Sequence, residues 1–222
     1  MKPSLTPEQL EAIRRLDSCT VANAIETFET RLRNEGFADA RIRCLFPQRS
    51  PMLGYAVTVK IRCSPPTTDG RSYLDRTDWW NYILTIPAPG VVVLQDVDPN
   101  PGTGSLLGEV HANILLALDC VGAVTAVEKA GFHFFAGSLA VSHAYAHIVE
   151  IGGEVEVDGL KVQAGDLIHG DVHGILSIPE PIAAEIPAVA KKILAMERKL
   201  IALCRSENFS LEKLRAAVRD SG

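Results

Sequence analysis

Short apolar runs of two kinds divide the middle of the chain into elements. Residues 55–61 place β-branched side chains at every second position, which is the period of a strand. Residues 90–94 and 121–124 are continuous apolar runs, typical of strands that are buried on both faces. Between these two runs, residues 106–118 carry a helical pattern. The order strand, helix, strand predicts a βαβ unit, and therefore an α/β fold in which a layered sheet is flanked by helices.

Both ends of the chain are predicted to be helical. Thr6 is followed by a proline and then by Gln9, which is the order of an N-terminal cap, a first-turn proline and a capping box. A second helix is expected from about residue 20 to residue 33. Amphipathic patterns over residues 182–204 and 211–218 predict a long helix and a short final one.

The segment 153–179 is predicted to be a turn-rich β-unit. Three short runs alternate at period two and are separated by Asp-Gly or Gly-Asp pairs, as hairpin strands are. The alternating apolar pairs are Val155 and Val157, Leu160 and Val162, and Ile175 and Ile178.

Composition and charge argue against several functional classes. Of 222 residues, 47% are apolar and 22% are charged, which suits one domain over residues 1–222 with helical segments at about 6–33 and 182–219. A net charge of −5 gives no general attraction to nucleic acid or to an anionic membrane surface. We expect no secretory signal and no membrane span. The 5 cysteines lack Cys-x-x-Cys spacing, which favours reduced thiols in a cytoplasmic protein.

The loop over residues 96–108 is the first candidate site, because it follows a buried strand and leads into a helix. Ligands of open α/β sheets bind beyond the carboxyl ends of strands, where the N–H groups of a helix start can hold a carboxylate. Gly108 lets a ligand approach the backbone, Glu109 is a candidate acid/base residue, and Val110 and His111 are candidate substrate contacts. The alternative is structural: Gly108 is then a turn residue and Glu109 a favourable first-turn anion.

Several segments, in order, resemble one protein family. They are Leu16 to Val21, Gly54 to Lys60, Gly90 to Val93, Gly108 with Glu109, Phe134 to Ala136, and the run from Gly152 to Pro179 with its Gly-Gly-x-Val and Asp-x-x-Gly-Ile pieces. The set is similar to the class II 4-hydroxy-4-methyl-2-oxoglutarate aldolases and to the regulators of ribonuclease activity that share their RraA-like fold. The resemblance covers roughly residues 10–200.

This resemblance implies a swivelling-domain-like fold and a metal-dependent lyase. The family's aldolases use Mg²⁺ or Mn²⁺ to cleave a small 2-oxo acid, by retro-aldol cleavage or oxaloacetate-type decarboxylation, and release pyruvate. Glu109 would be the acid/base residue and Gly108 would bind substrate. Ring-like assembly, as a homotrimer or hexamer, is also implied. Glu197 resembles a family glutamate that reaches a neighbouring subunit's metal, although a solvated helix charge is an equal alternative.

The family's Arg-Asp pair, in which the Asp anchors the metal and the Arg helps to hold the 2-oxo acid, is missing. It should follow Thr125, yet the chain passes from Val124 directly to a helix-tail pattern, and no arginine lies between Arg76 and Arg198. A segment of roughly eight residues is absent, because a β-to-α connection and a helix of useful length do not fit. Two explanations stay open: the segment is truly deleted, or it is missing from the sequence as read.

Two further functions remain open beside the lyase. Without its metal anchor the protein would be a non-catalytic binding module, like the family's ribonuclease regulators, and its acidic surface would suit a basic partner. The other alternative is a structural subunit of a multimer that catalyses no reaction.

Histidines and aromatic residues give weaker signals. His143 and His147 have the spacing of helical zinc ligands, but a strand with both side chains on one exposed face is favoured. His169, Asp171 and His173 are a metal trio by residue type, although polar hairpin tips are common. A helix is expected over residues 71–86, and its aromatic residues, which include the pair at 79–80, are expected to lie in the core or at a subunit interface. Arg71 and Arg76 are expected to be solvated surface charges.

Overall fold

One mixed sheet lies at the centre of the fold in a computed structural model, which describes residues 5–67, 76–124 and 132–219. The strands of the described residues are β1 Arg43–Cys44, β2 Met52–Arg62, β3 Gly90–Asp96, β4 Cys120–Val124, β5 His133–Ala136, β6 His147–Ile151, β7 Val155–Val157, β8 Leu160–Val162, β9 Leu167–Asp171 and β10 Gly174–Ile178.

The sheet has the strand order β1-β5-β4-β3-β2-β9-β10, and β6 pairs with the end of β2. Strands β2 to β5 run parallel to one another, whereas the outer pairs are antiparallel. Phe37 forms a bridge with Leu176 of β10, and the same segment then supplies β1 beside β5. The sheet is therefore nearly closed, and the carboxyl ends of its four parallel strands meet at one edge, as the βαβ pattern predicts.

Both faces of the sheet are buried, which explains why its central strands read as continuous apolar runs. Val92 and Leu94 point to a core that the helices cover, while Val91 and Val93 point to a second core. The second core is covered by the hairpin β7–β8. The fold therefore has three layers: the helices, the sheet and the hairpin. This confirms the layered α/β architecture with flanking helices.

The helices of the described residues are α1 Pro7–Arg14, α2 Ser18–Glu26, α3 Thr77–Ile83, α4 Glu109–Ala117, α5 Glu180–Ala183, α6 Ile186–Cys204 and α7 Leu211–Arg219. The capping box predicted for α1 is confirmed, because the Thr6 side chain accepts from the Gln9 N–H and the Gln9 side chain accepts from the Thr6 N–H. None of these helices combines the length and the apolar character that crossing a membrane requires.

Two helix boundaries differ from the prediction. The second helix begins at Ser18, because the Asp17 side chain caps it by accepting from the Thr20 N–H, and it ends at Glu26 rather than near residue 33. The long C-terminal pattern is divided into α5 and α6, since Pro187 has no N–H and sits in the first turn of a new helix. The helix predicted over residues 71–86 is present as α3, and residues 68–75 lie outside the described residues.

The predicted hairpin is confirmed and folds over the sheet. Its turn is formed by Asp158 and Gly159, which both have positive φ, at 44° and 84°. Two left-handed residues in succession are the requirement of a tight two-residue turn, and an Asp-Gly pair meets it. The hairpin places Glu156 and Asp158 opposite the carboxyl edge of the parallel strands, where they help to line a cavity.

Candidate functional site

A cavity of about 290 Å³ opens at the carboxyl ends of the parallel strands. Every parallel strand contributes to it directly or through the residues that follow, and the hairpin forms the opposite wall. Lining residues from the strand ends and the loop after β3 include Ile61, Asp96, Gly102, Gly104, Val124 and Ser138. Ligands of open α/β sheets generally bind at this edge, and the first part of the loop predicted as a site, up to Gly104, lines the cavity.

Two carboxylates hold the loop after β3 in place by accepting hydrogen bonds from backbone N–H groups. Asp96 accepts from the Asp98 N–H through Oδ1 at 3.0 Å and from the Gly102 N–H through Oδ2 at 2.8 Å. Asp98 Oδ2 accepts from the N–H groups of Cys63 and Ser64, each at 2.7 Å. Backbone donors thus fix the orientation of both carboxylates and join the chain after β2 to the chain after β3.

The second oxygen of Asp98 fits a bound cation. Asp98 is 6% exposed, and its Oδ1 is buried without a hydrogen-bond partner. Burial raises the pKa of Asp98, but hydrogen bonds from the Cys63 and Ser64 N–H groups outweigh it, and the pKa lies below its ordinary value. A buried, ionised oxygen without a donor is costly unless a cation or a water molecule completes it.

Cys63 completes a group of three ligand-type side chains with Asp96 and Asp98. One ligand atom from each lies within 4.8 Å of the other two. Burial, and then the neighbouring charges of Asp96 and Asp98, raise the pKa of the Cys63 thiol to about 11. Among the described residues this is the group whose donor atoms converge as a metal site requires.

Two arginines bring positive charge to the site: Arg41, which precedes β1, and Arg43, the first residue of β1. Arg41 forms ion pairs with Asp39 at 2.8 Å and with Asp158, a residue of the cavity wall, at 3.0 Å. Arg41 and Arg43 line a second cavity of about 660 Å³, which shares Pro101, Gly137, Ser138 and Asp158 with the first. The two cavities form one cleft, with carboxylates on one side and guanidinium groups on the other.

The sequence-predicted residues 108–111 lie at the far end of the loop that supplies Gly102 and Gly104. Gly108 precedes α4 with an extended backbone, and Glu109 is exposed in the first turn of the helix. Val110 is 63% exposed, whereas His111 is 2% exposed and its ring lies 6.3 Å from that of Trp79. Of the described residues, none from 108 to 111 lines the 290 Å³ cavity. Their catalytic and binding roles remain predictions.

His143 and His147 do not share a strand face. The strand begins only at His147, and His143 lies in the preceding turn, where its Nδ1 is 2.6 Å from the Ser105 carbonyl oxygen. The predicted strand from residue 141 was wrong in this part, because Ala144 has a positive φ of 47° that interrupts extended backbone.

The remaining polar candidates are dispersed. His169 is fully buried beneath α2, and His173 pairs with Asp171 at 3.1 Å, so the predicted trio does not converge on one point. Glu197 is half-buried on α6 and stays a prediction as a metal neighbour. Arg76 pairs with Asp78 at 2.9 Å, and Arg71 lies outside the described residues.

The position of the missing Arg-Asp pair falls between β4 and β5. Residues 125–131 lie outside the described residues. The flanking strands are nevertheless parallel neighbours, with Val124 opposite Phe135, and the sequence places only residues 125–132 between them. Such crossovers usually need a dozen or more residues. The shortness of this one agrees with a segment lost from a βαβ unit.

The matches to known proteins agree with this fold. The family model described as RraA-like, Aldolase/RraA, matches residues 18–177. The chain belongs to the RraA-like family. A comparison with curated proteins gave no match.

Solved structures show the same fold at low identity. A protein described as a novel cellulase from microbes of the gut ecosystem is 20% identical, with 90% of each chain covered and a TM-score of 0.72. An uncharacterised protein from Pseudomonas syringae pv. tomato is 22% identical, with 96% of this chain and 94% of that chain covered and a TM-score of 0.70. Streptomyces coelicolor RraAS2, an unusual member of the RNase ES inhibitor RraA family, is 17% identical, with 89% and 98% covered and a TM-score of 0.69.

Sequence reasoning missed Cys63 and Asp98, and also Arg41 and Arg43. Cys63 and Asp98 are distant in the chain, and only the parallel pairing of β2 with β3 brings them together. The Asp96 and Asp98 pair directly after a buried strand was the available signal. Arg41 and Arg43 flank the buried Ile42, and this alternation of polar and apolar residues is the sequence signal that indicates a strand here.

Proposed function

We propose that the protein is a divalent-metal-dependent lyase that cleaves a small 2-oxo acid and releases pyruvate. The observation that carries this proposal is the Asp96 and Asp98 carboxylate pair, with a buried and unpartnered Asp98 oxygen, beside an open cavity at the carboxyl edge. A family that includes aldolases supports the reaction class.

The reaction needs one proton removed and one proton delivered. In the retro-aldol cleavage of 4-hydroxy-4-methyl-2-oxoglutarate the C3–C4 bond breaks, the 4-hydroxyl proton leaves, and C3 of the resulting enolate takes up a proton to give two molecules of pyruvate. With oxaloacetate, CO₂ leaves instead and the same enolate is protonated. A bound cation supplies Lewis-acid stabilisation of the enolate oxygen.

Asp96 and Asp98 would hold the divalent cation, because Mg²⁺, Mn²⁺ and Zn²⁺ all take carboxylate oxygens. Their orientation is already fixed by four backbone N–H groups, two on each carboxylate. Preorganised ligands of this kind lose little freedom when a cation binds. Asp96 is the member of the pair that lines the cavity, so it brings the cation within reach of a substrate.

Arg41 and Arg43 would take the place of the missing family arginine. Both line the part of the cleft that joins the carboxylate side, and a guanidinium group binds a carboxylate through two parallel hydrogen bonds. Arg43 is exposed, which leaves it accessible to a substrate. Glu109 stays the proposed proton carrier, at the end of the loop that lines the cavity.

Steady-state pyruvate release by Asp96→Asn tests the assignment. We expect kcat/KM to fall by at least about a hundredfold, as for loss of one strong electrostatic group. Asp119→Asn is the matched control, because Asp119 lies at the opposite edge of the sheet, before β4, and its positive φ of 58° suits asparagine. Equal activity of the two variants would contradict the proposal.

The non-catalytic alternative gives a different result in the same assay. A binding module of the RraA type predicts no pyruvate from either substrate, with or without a divalent cation. It also predicts that Asp96→Asn leaves partner binding unchanged.

A further inference from the structure

Cys63 and Asp98 occupy equivalent positions beyond two neighbouring parallel strands. Ile61 of β2 lies opposite Asp96 of β3, and Cys63 and Asp98 each follow two positions later in the chain. The Cys63 N–H donates to Asp98 at 2.7 Å, which holds the two chain segments side by side. The sheet register itself therefore brings a sulfur atom to the carboxylate pair.

The donor set has the chemistry of a transition-metal site. Cys63 is fully buried, Asp98 is 6% exposed, and its Oδ1 has no hydrogen-bond partner. Zn²⁺ and similar ions combine thiolate sulfur with carboxylate oxygen, whereas Mg²⁺ takes oxygen ligands and keeps several waters. Asp96 lines the cavity, so the coordination position between the three side chains and the cavity is open to water or substrate.

We propose that Cys63, Asp96 and Asp98 form a binding site for a thiophilic divalent cation, with Zn²⁺ preferred over Mg²⁺. This inference rests on the proposed function, which it deepens by naming the class of cation and a sulfur ligand. The Cys63 thiol gives its proton to solvent when the metal–sulfur bond forms.

Metal binding draws the three side chains together. Their donor atoms lie within 4.8 Å of one another, whereas bond lengths of 2.0–2.3 Å in a tetrahedral site place ligand atoms about 3.5 Å apart. Backbone N–H groups hold both carboxylates, so the Cys63 side chain makes most of this adjustment.

Cobalt binding by chelator-treated full-length protein tests the sulfur ligand. We expect Co²⁺ to produce the near-ultraviolet charge-transfer absorption of a thiolate–cobalt bond, and Zn²⁺ to displace it at equimolar concentration. Excess Mg²⁺ should leave the absorption unchanged. Cys63→Ser should abolish the absorption, and Asp98→Asn should weaken Co²⁺ binding at least tenfold. Cys120→Ser is the matched control, because Cys120 is also a buried thiol, on β4, and it should retain the absorption.

Two results would overturn the inference: Co²⁺ binding without the charge-transfer absorption, or an absorption that survives in Cys63→Ser. Circular dichroism and the melting temperature confirm that each variant is folded. The outcomes for the lyase are separate. Pyruvate release with Mg²⁺ that persists in Cys63→Ser upholds the lyase without the sulfur ligand. A thiolate–cobalt site in a protein that releases no pyruvate upholds the metal site without the lyase.

Discussion

The Ser18 hydroxyl and the His169 ring join the first turn of α2 to strand β9, with Oγ and Nδ1 3.1 Å apart. His169 Nε2 lies 3.0 Å from the Leu16 carbonyl oxygen, which can only accept, so Nε2 carries the proton of the neutral ring. Nδ1 then accepts from Ser18. Both ring nitrogens of this fully buried histidine are therefore satisfied while the ring is neutral.

Acid should therefore destabilise the fold below pH 6.5. Burial lowers the pKa of His169 from 6.5, and burial also lowers that of His133. Because the unfolded chain takes up these protons first, the free energy of unfolding falls as the pH drops through 6.5, by at most about 1.4 kcal/mol per pH unit for each histidine. Urea unfolding at several pH values measures this slope.

His169→Gln isolates one of the two histidines. Between pH 7 and pH 5, the free energy of unfolding of this variant should change less steeply with pH than that of the wild type. Cys19→Ser, an exposed neighbour of Ser18, should keep the wild-type slope. Identical slopes for His169→Gln and the wild type would contradict the neutral-ring assignment.

Glycine at position 108 is not required by the fold. A Cβ atom there would meet only His143 Cε1, at 3.9 Å, and φ is −123°. At Gly54, by contrast, a Cβ would lie 2.5 Å from the Pro89 carbonyl oxygen. We expect Gly108→Ala to keep the wild-type melting temperature, and Gly54→Ala to lose about 1–3 kcal/mol of stability.

Activity then separates the two readings of Gly108. If substrate approaches the backbone there, Gly108→Ala raises KM while the protein stays folded. An unchanged KM would make Gly108 a turn residue only.

Trp79 should contribute far more to stability than its neighbour Trp80. Trp79 is fully buried, whereas Trp80 is half-buried against the same core. Truncation to alanine should cost about 3–5 kcal/mol at position 79, because it leaves a cavity, and clearly less at position 80. Chemical denaturation of both variants gives the comparison, and equal losses would argue against the packing described for α3.

Arg43→Met tests the guanidinium side of the cleft. The side chain is exposed, so stability should stay within about 0.5 kcal/mol of the wild type. If Arg43 binds the substrate carboxylate, KM should rise by at least about tenfold, as expected for a lost charge-assisted hydrogen bond. Arg33→Met is the control, since Arg33 is exposed, pairs with Glu26 at 3.6 Å and lies outside both cavities. A KM equal to that of this control would remove Arg43 from the site.

The sequence predicted the strand and loop beside the cavity better than it predicted the residues that line the cavity. Local patterns identified β3 and the loop after it, because a buried apolar run and a helix start are properties of neighbouring residues. The Cys63 and Asp98 contact depends on strand register over 35 positions of the chain, which no local pattern records. The family resemblance directed attention to Glu109 and to the missing pair, whereas the cavity lies beside Asp96.

Predicted helix boundaries were wrong where side chains outside the apolar pattern determine the helix ends. Asp17 caps α2 and thereby moves its start to Ser18. Leu32 lies inside the range predicted for that helix, yet it is 66% exposed because the helix ends at Glu26. Asp158 and Gly159, by contrast, were predicted correctly, since an Asp-Gly turn is a local requirement.

The most direct test of the central claim is pyruvate release from 4-hydroxy-4-methyl-2-oxoglutarate and from oxaloacetate by the wild-type protein, first with chelator and then after addition of Mn²⁺. The lyase account predicts no release above the uncatalysed rate with chelator, and turnover that returns with Mn²⁺ and saturates with substrate. Folded protein that releases no pyruvate from either acid with Mn²⁺, Zn²⁺ or Mg²⁺ would contradict it.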